Sequence, residues 1–423
     1  MLLLFSTIYL FMLTSYLLKP IRETLILASG GAEVRSYAIA AQALLLVFII
    51  PLYGLLFKNS SALKLMQTVI GACIGFIALF FVLFYLLDIA LPIGFYIWLG
   101  LFGVLIIAQF WAFTSDILSE EAGTRLFATI ALGAGLGALS GSSISAALFS
   151  LVGPQGIMLA SCAALGIAML IVPFIQAAVP HGSRVMYTEK QEQMNPHLMS
   201  GFMLVIGSRY LIAIAIFVTF FNWINSTGDF VLSAWVGAEA DKIVDSTARE
   251  NYIAQFYSEF YLIVGISSFV IQALLVSRII KYLGVSIALF ILPTIMIIAY
   301  TGIYFLPIFS LFYIFRVAEN SLGYSLQSTL RQILFLPTNR QIKYEARSVV
   351  ETFFWRLGDV LQGIVVYLGF NVFNFDWSYF ILLNIILTAI VLGMMFRIGW
   401  HYRRLLKLRQ SEHEAALHEY KPA

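Results

Sequence analysis

The chain has 423 residues, 61% of them hydrophobic and 11% charged, where a soluble domain carries roughly 25% charged residues. With a mean hydropathy of +0.91, this excludes a soluble globule, a disordered chain and a large aqueous catalytic domain; the apolar runs are continuous rather than alternating, which excludes a membrane barrel. The 25 basic against 22 acidic residues leave a net charge of +3, which reads as membrane topology and not as affinity for nucleic acid.

Apolar windows of about 20 residues predict helices near 1–27, 37–57, 65–87, 91–113, 126–151 and 157–178. The first lacks a basic start and a small-residue cleavage site, so it reads as a membrane helix rather than a signal peptide. A polar stretch at 179–200, with Pro180, His181, Arg184, Lys190 and Pro196, reads as a linker. Six more helices follow near 202–234, 252–276, 285–305, 307–330, 349–370 and 377–395, and the tail HYRRLLKLRQSEHEAALHEY is expected to continue as a helix with its basic half at anionic headgroups. The expected organisation is an N-terminal half at 1–178, a cytoplasmic linker at 179–200, a C-terminal half at 201–400 and a cytoplasmic tail at 401–423. Cys73 and Cys162 lie in apolar runs without metal or disulfide spacing, and the five histidines fall outside the spans. No metal site or cofactor is implied.

Orientation follows from the basic residues of the loops. One set of sides holds Lys58, Lys64, Arg125, Arg184, Lys190, Arg278, Lys281, Arg331, Arg340, Lys343, Arg347 and six residues of the tail, and the other holds Arg35, Lys242 and Arg249. The positive-inside rule then places both termini and the linker in the cytoplasm. The pattern is that of an all-α polytopic membrane protein with about 12 transmembrane helices in two six-helix halves, the architecture of the major facilitator superfamily, whose solute site lies at the bilayer midplane.

Five basic residues remain inside the spans: Lys19, Arg22, Arg209, Arg316 and Arg356. Glu23, Asp229, Glu259, Glu319 and Asp359 accompany them, with Glu351 at a rim. A charge at the bilayer centre costs at least ~2.5 kcal/mol, so each must face protein or water and can serve solute binding, proton handling or structural pairing. Lys19 with Glu23, Arg316 with Glu319, and Arg356 with Asp359 stand three or four residues apart, so each pair can neutralise itself on one helix face. Arg22 projects about 60° from Lys19 and about 100° from Glu23, which leaves its guanidinium available beside that pair. Pro20 loosens the same turn, as in a helix that lines a cavity. Arg209 reads as an interfacial, snorkelling residue. Asn222, Asn225 and Asp229 form a polar stripe on the seventh helix, and Tyr16, Trp223, Tyr257, Tyr261 and Phe353 offer rings for stacking or for packing. Gly133, Gly137 and Gly141 repeat every fourth residue, the pattern of close helix packing; the alternative of a phosphate loop lacks its Gly-Lys-Ser/Thr ending.

Three segments, SYLLKPIRETLIL at 15–27, FWAFTSDILSEEAGTRLFATIALGAGLGALSG at 110–141 and RQILFLPTNRQIKYEARSVVETFFWRLGDVLQG at 331–363, together resemble the ATP/ADP antiporter family, and the chain is closer to that family's bacterial relatives than to its nucleotide exchangers. The resemblance implies a twelve-helix facilitator-type transporter, a monomer, moving a solute that in the best-known members is a nucleotide exchanged for another. It also implies a basic residue late in the first helix, where Arg22 stands, an acid in the eighth, where Glu259 fits, and a basic residue in the eleventh, where Arg356 fits. Ser328 and Thr329 stand where those members carry an Arg-Pro pair.

The leading expectation is a secondary transporter that binds an anionic, phosphate-bearing or nucleotide-like solute through Tyr16, Lys19, Arg22, Asn222, Arg316 and Arg356. Glu23, Asp229, Glu259, Glu319 and Asp359 would hold those cations or carry a coupling proton. The alternative is proton-coupled transport of an amphipathic metabolite, siderophore or lipid through a cavity of balanced charge. A membrane enzyme is disfavoured by the lack of intramembrane histidine, of a nucleophile arrangement and of metal spacing, and a scaffold by the cost of so many midplane charges.

Overall fold

The computed structural model describes residues 1–56, 61–85, 91–117, 120–178, 198–339 and 341–419. Most of the expected linker, 179–197, the loop at 57–60 and the last residues of the tail lie outside these. In chain order the first four helices are α1 (Leu2–Leu56), α2 (Ala62–Tyr85), α3 (Pro92–Ile117) and α4 (Glu120–Ala178). Then come α5 (Leu198–Gly207), α6 (Arg209–Ala240), α7 (Ser246–Val270), α8 (Val276–Leu283) and α9 (Val285–Phe305). The remainder are α10 (Phe309–Leu322), α11 (Ser328–Leu334), the single turn α12 (Arg347–Val349), α13 (Trp355–Asn371) and α14 (Trp377–Glu419).

Among the described residues, nine helical stretches are long and apolar enough to cross a membrane. Two of them hold two lengths each, because α1 is broken at Gly31 (φ 68°) and α4 at Gly153 (φ 65°), conformations open to glycine and strained for other residues. Pro154 then starts the next length, where its missing N–H has no partner to lose. The stretch from α10 through α11, joined by a π turn at Gly323–Gln327 and outside those nine, is a further helical length, so twelve lengths are found among the described residues. The expected loop at 28–36 is therefore helical on both sides of one glycine. Arg35, which the sequence placed in a loop, stands in a helix with its side chain buried. At the other end of the chain, α14 continues without a break from its apolar run into the tail as far as Glu419.

The chain forms two compact units. The first comprises Met1–Gln191 with Ser233–Ile266, and the second Glu192–Leu232 with Ser267–Ala423. In the first, Phe11, Phe110, Phe113, Ile130 and Ile157 are fully or nearly fully buried, and Phe11 meets Phe110 edge to face at 6.1 Å. The glycine stripe determines how α4 lies on α1. A Cβ at Gly133 would come within 2.8 Å of the Phe5 carbonyl oxygen and one at Gly141 within 2.6 Å of that of Leu13, while one at Gly137 would overlap the carbonyl of Tyr9. The four-residue repeat of glycine thus matches a four-residue repeat of backbone carbonyls, which favours close packing over a phosphate loop. In the second unit, π turns at Gly323–Gln327, Ile342–Ala346 and Val350–Phe354 interrupt the regular helices just beyond Glu319 and just before Arg356. Such turns re-aim the side chains that follow them.

Candidate functional site

The first unit gathers its charges around Glu23, which is completely buried. Arg22 donates to its Oε1 at 2.6 Å, Tyr261 to the same oxygen at 3.1 Å, and Arg35 to its Oε2 at 2.6 Å. The expected Lys19–Glu23 pairing is not found. The Lys19 ammonium instead lies over the Tyr16 ring, 3.7 Å from its centroid, and 5.1 Å from that of Tyr261. Arg22, read from its projection as available, is tied to Glu23 and stacks its guanidinium 4.3 Å from the centroid of buried Tyr96. The kink at Gly31 explains the change of partner, since it turns the second length of α1 back and delivers Arg35 to the carboxylate Lys19 was expected to meet.

Two cations, Arg22 and Arg35, therefore share one carboxylate, and Lys19 lies beside them on the tyrosine rings, with Tyr16, Tyr96 and Tyr261 around the group. Gly141 helps to position this wall, because a Cβ there would lie 2.9 Å from that of Tyr16. Lys19 and Arg22 are half-buried, whereas Arg35 is 4% exposed. A cavity of about 470 Å³ borders the next turn of α1 at Ile21 and Thr24, with Gln155, Glu250 and Asn251 on its other walls. Its lining holds one acid and no base.

The second unit holds two clusters. Arg316 is completely buried, donates to Glu319 at 2.5 Å and to Asp229, and reaches the backbone and side-chain oxygens of Asn225 at 3.3 Å. Tyr300 donates to the same Glu319 oxygen at 2.9 Å. Gly228 makes the room, since a Cβ there would overlap both the Arg316 guanidinium and the Tyr300 hydroxyl. In the other cluster Asp359 accepts from Asn222 at 2.7 Å, from Ser226 at 2.6 Å and from Arg356 at 3.2 Å. Gly358 lets α13 approach α6 closely enough for this, because its Cβ would lie 2.6 Å from the Thr219 carbonyl oxygen.

The expected residues thus fall into three groups: Tyr16, Lys19, Arg22 and Glu23; Asp229, Arg316 and Glu319; and Asn222, Arg356 and Asp359. Glu259 joins none of them. Its side chain is exposed and accepts from Gln255 one turn earlier at 2.9 Å. Arg209 is exposed at the start of α6. Sequence reasoning missed Arg35, Tyr96 and Tyr300. Arg35 was discounted because its segment is polar, and the two tyrosines carry no local signal that separates them from the other aromatics. Among the described residues, no group of three His, Cys, Asp or Glu side chains could hold a metal ion.

Helical spans with charges compensated inside the protein suit a membrane carrier, and solved structures share its fold. The nucleoside transporter NupG superposes with a TM-score of 0.65 at 14% identity, over 96% of this chain and 100% of that one. A bacterial homologue of the human lysosomal transporter Spinster gives 0.60 at 11% identity, over 96% and 97%. The POT family transporter PepTSo gives 0.63 at 10% identity, over 96% and 98%. The protein is an integral membrane transporter with the major facilitator fold. No curated protein matches it in sequence. The family pattern described as TLC ATP/ADP transporter matches residues 91–318, more than half of the chain, and the protein belongs to that family.

Proposed function

We propose that this transporter moves an anionic, phosphate-bearing or nucleotide-like solute by alternating access, and that Lys19 and Arg22 are its anion-binding residues. The observation that carries this reading is the excess of cations around Glu23, where Arg22 and Arg35 flank one carboxylate and Lys19 lies beside them on the rings of Tyr16 and Tyr261. Arg35 neutralises Glu23, which leaves Lys19 and part of the Arg22 fork for a ligand. Arginine suits phosphate through its fixed, bidentate donors and lysine as a point charge. The rings of Tyr16 and Tyr261, 6.2 Å apart and nearly perpendicular, already hold Lys19 and supply an aromatic wall for a base. Family membership supports the nucleotide-like class. In this reading the protein is a monomer of a bacterial inner membrane with both termini in the cytoplasm, organised as two halves at 1–178 and 201–400, a linker at 179–200 and a tail at 401–423.

Thermal-shift measurements on the purified protein test the proposal, because a ligand that prefers the native state raises its apparent stability by about 2.7 kcal/mol at a hundred times its Kd. ATP, ADP and inorganic phosphate are expected to stabilise the wild type, and Lys19→Gln and Arg22→Gln to abolish the shift. Stabilisation by uncharged nucleosides or lipids, with none by phosphates, would overturn the anionic reading.

A further inference from the structure

Among the described residues, the three buried carboxylates of the membrane helices are not equally satisfied. Glu23 has a cationic donor on each oxygen, Arg22 on Oε1 and Arg35 on Oε2. Asp359 likewise uses both, with Asn222 and Ser226 on Oδ1 and Arg356 on Oδ2. Glu319 differs. Both of its donors, Arg316 and Tyr300, converge on Oε2, while Oε1 is buried without a hydrogen-bond partner. The titratable and charged groups facing it are Arg316 on its own helix, Tyr300 on α9 and Asp229 on α6. The one guanidinium among them is shared, because its second nitrogen is bound to Asp229.

An ionised carboxylate with one oxygen lacking any donor, in a membrane helix and beside a cation shared with a second carboxylate, is an incompletely compensated buried charge. A proton on that oxygen removes the charge without disturbing either bond to Oε2. We infer that Glu319 Oε1 is a proton-binding site of this transporter, with Arg316 and Asp229 as the ion pair against which the proton is taken up and released. The geometry fits such exchange: Glu319 is 5% exposed, whereas the Asp229 side chain is 29% exposed. When the proton leaves, the Glu319 carboxylate competes with Asp229 for Arg316, and the guanidinium must redistribute between α6 and α10. Proton loss is thereby linked to the packing of two helices. The inference is independent of the anion-binding residues, which lie in the other unit.

Infrared difference spectroscopy of the full-length protein in lipid, titrated from mildly acidic to alkaline buffer, tests this directly. A protonated carboxyl gives a C=O stretch separate from the carboxylate and amide bands. The wild type is expected to lose one such band on alkaline titration. Glu319→Gln is expected to lack that band, and Glu319→Asp to shift it, while Glu23→Gln and Asp359→Asn keep it at the wild-type position. The Asp variant retains a carboxyl, so the assignment stands on it if the Gln variant fails to fold. A wild type without the band, or a band that persists unchanged in both Glu319 variants, would overturn the inference. So would a carboxylate signal that responds to replacement of Na⁺ by choline, which would assign the site to a metal cation. Loss of the nucleotide-induced thermal shift would leave the infrared result untouched, so the two proposals fail separately.

Discussion

Replacing Arg35 by glutamine separates the structural cation of the first unit from those proposed to bind the solute. Glu23 is completely buried and holds Arg35 on Oε2 at 2.6 Å, with Arg22 and Tyr261 on Oε1. The substitution leaves Oε1 satisfied and takes the charged partner from Oε2. Breaking a buried pair from one side costs ~3–5 kcal/mol, and the retained Oε1 contacts place this case near the lower end, about 3 kcal/mol. The double variant Glu23→Gln/Arg35→Gln removes the fully buried carboxylate together with its Arg35 partner and leaves only Arg22, whose side chain is 14% exposed, without an anion, so it is expected to be more stable than Arg35→Gln alone. Lys19 is the contrast. Its ammonium sits over a half-buried tyrosine ring, a contact of ~0.5–1 kcal/mol, so Lys19→Gln is expected to fall by no more than that. Fluorescence-detected melting in one detergent, read as a ranking because such unfolding is commonly irreversible, gives wild type and Lys19→Gln highest, the double variant between, and Arg35→Gln lowest. An Arg35→Gln protein that melts with the wild type, or a double variant whose loss equals the sum of its singles, would refute the reasoning.

Other substitutions follow from the same contacts. Gly137→Leu drives a side chain into the Tyr9 carbonyl, where backbone cannot yield cheaply, and the ~1–3 kcal/mol typical of overpacking is a lower bound; reduced yield of folded protein by size-exclusion chromatography checks it, and Gly135→Leu, with no atom within 4 Å of its Cβ, serves as control. Gly228→Val displaces the Arg316 guanidinium and the Tyr300 hydroxyl and is expected to lower the melting temperature more than Gly237→Val, whose Cβ meets open space. Asn222→Ala takes a 2.7 Å donor from buried Asp359, a loss of ~1–3 kcal/mol for a buried acceptor left short, and Ser226 on the same oxygen keeps it at the lower end. Cys73, buried at 7% exposure, is expected to resist a maleimide in the folded protein and to react once unfolded.

The amino-acid sequence was sufficient for what depends on local periodicity and on the cost of charge in lipid. The apolar windows locate the helical lengths, because a span in hydrocarbon must satisfy its own backbone. The same logic singles out Arg316, Glu319, Arg356 and Asp359 as intramembrane charges, and their three-residue spacings correctly pair each basic residue with its acid. The Gly133, Gly137 and Gly141 repeat announces a close helix contact before its partner is known. Tertiary structure decided everything that crosses from one helix to another. The Lys19–Glu23 spacing is as favourable as the others, yet Glu23 binds Arg35, because a single left-handed glycine brings a second helix within reach of it. Arg316 takes Asp229 as a second partner 87 residues away, and Asp359 takes Asn222 from 137 residues away. Helix periodicity specifies which face a side chain occupies. Which helix lies against that face is set by the packing of backbones, and on this rests the difference between a carboxylate with donors on both oxygens and one with both donors on a single oxygen.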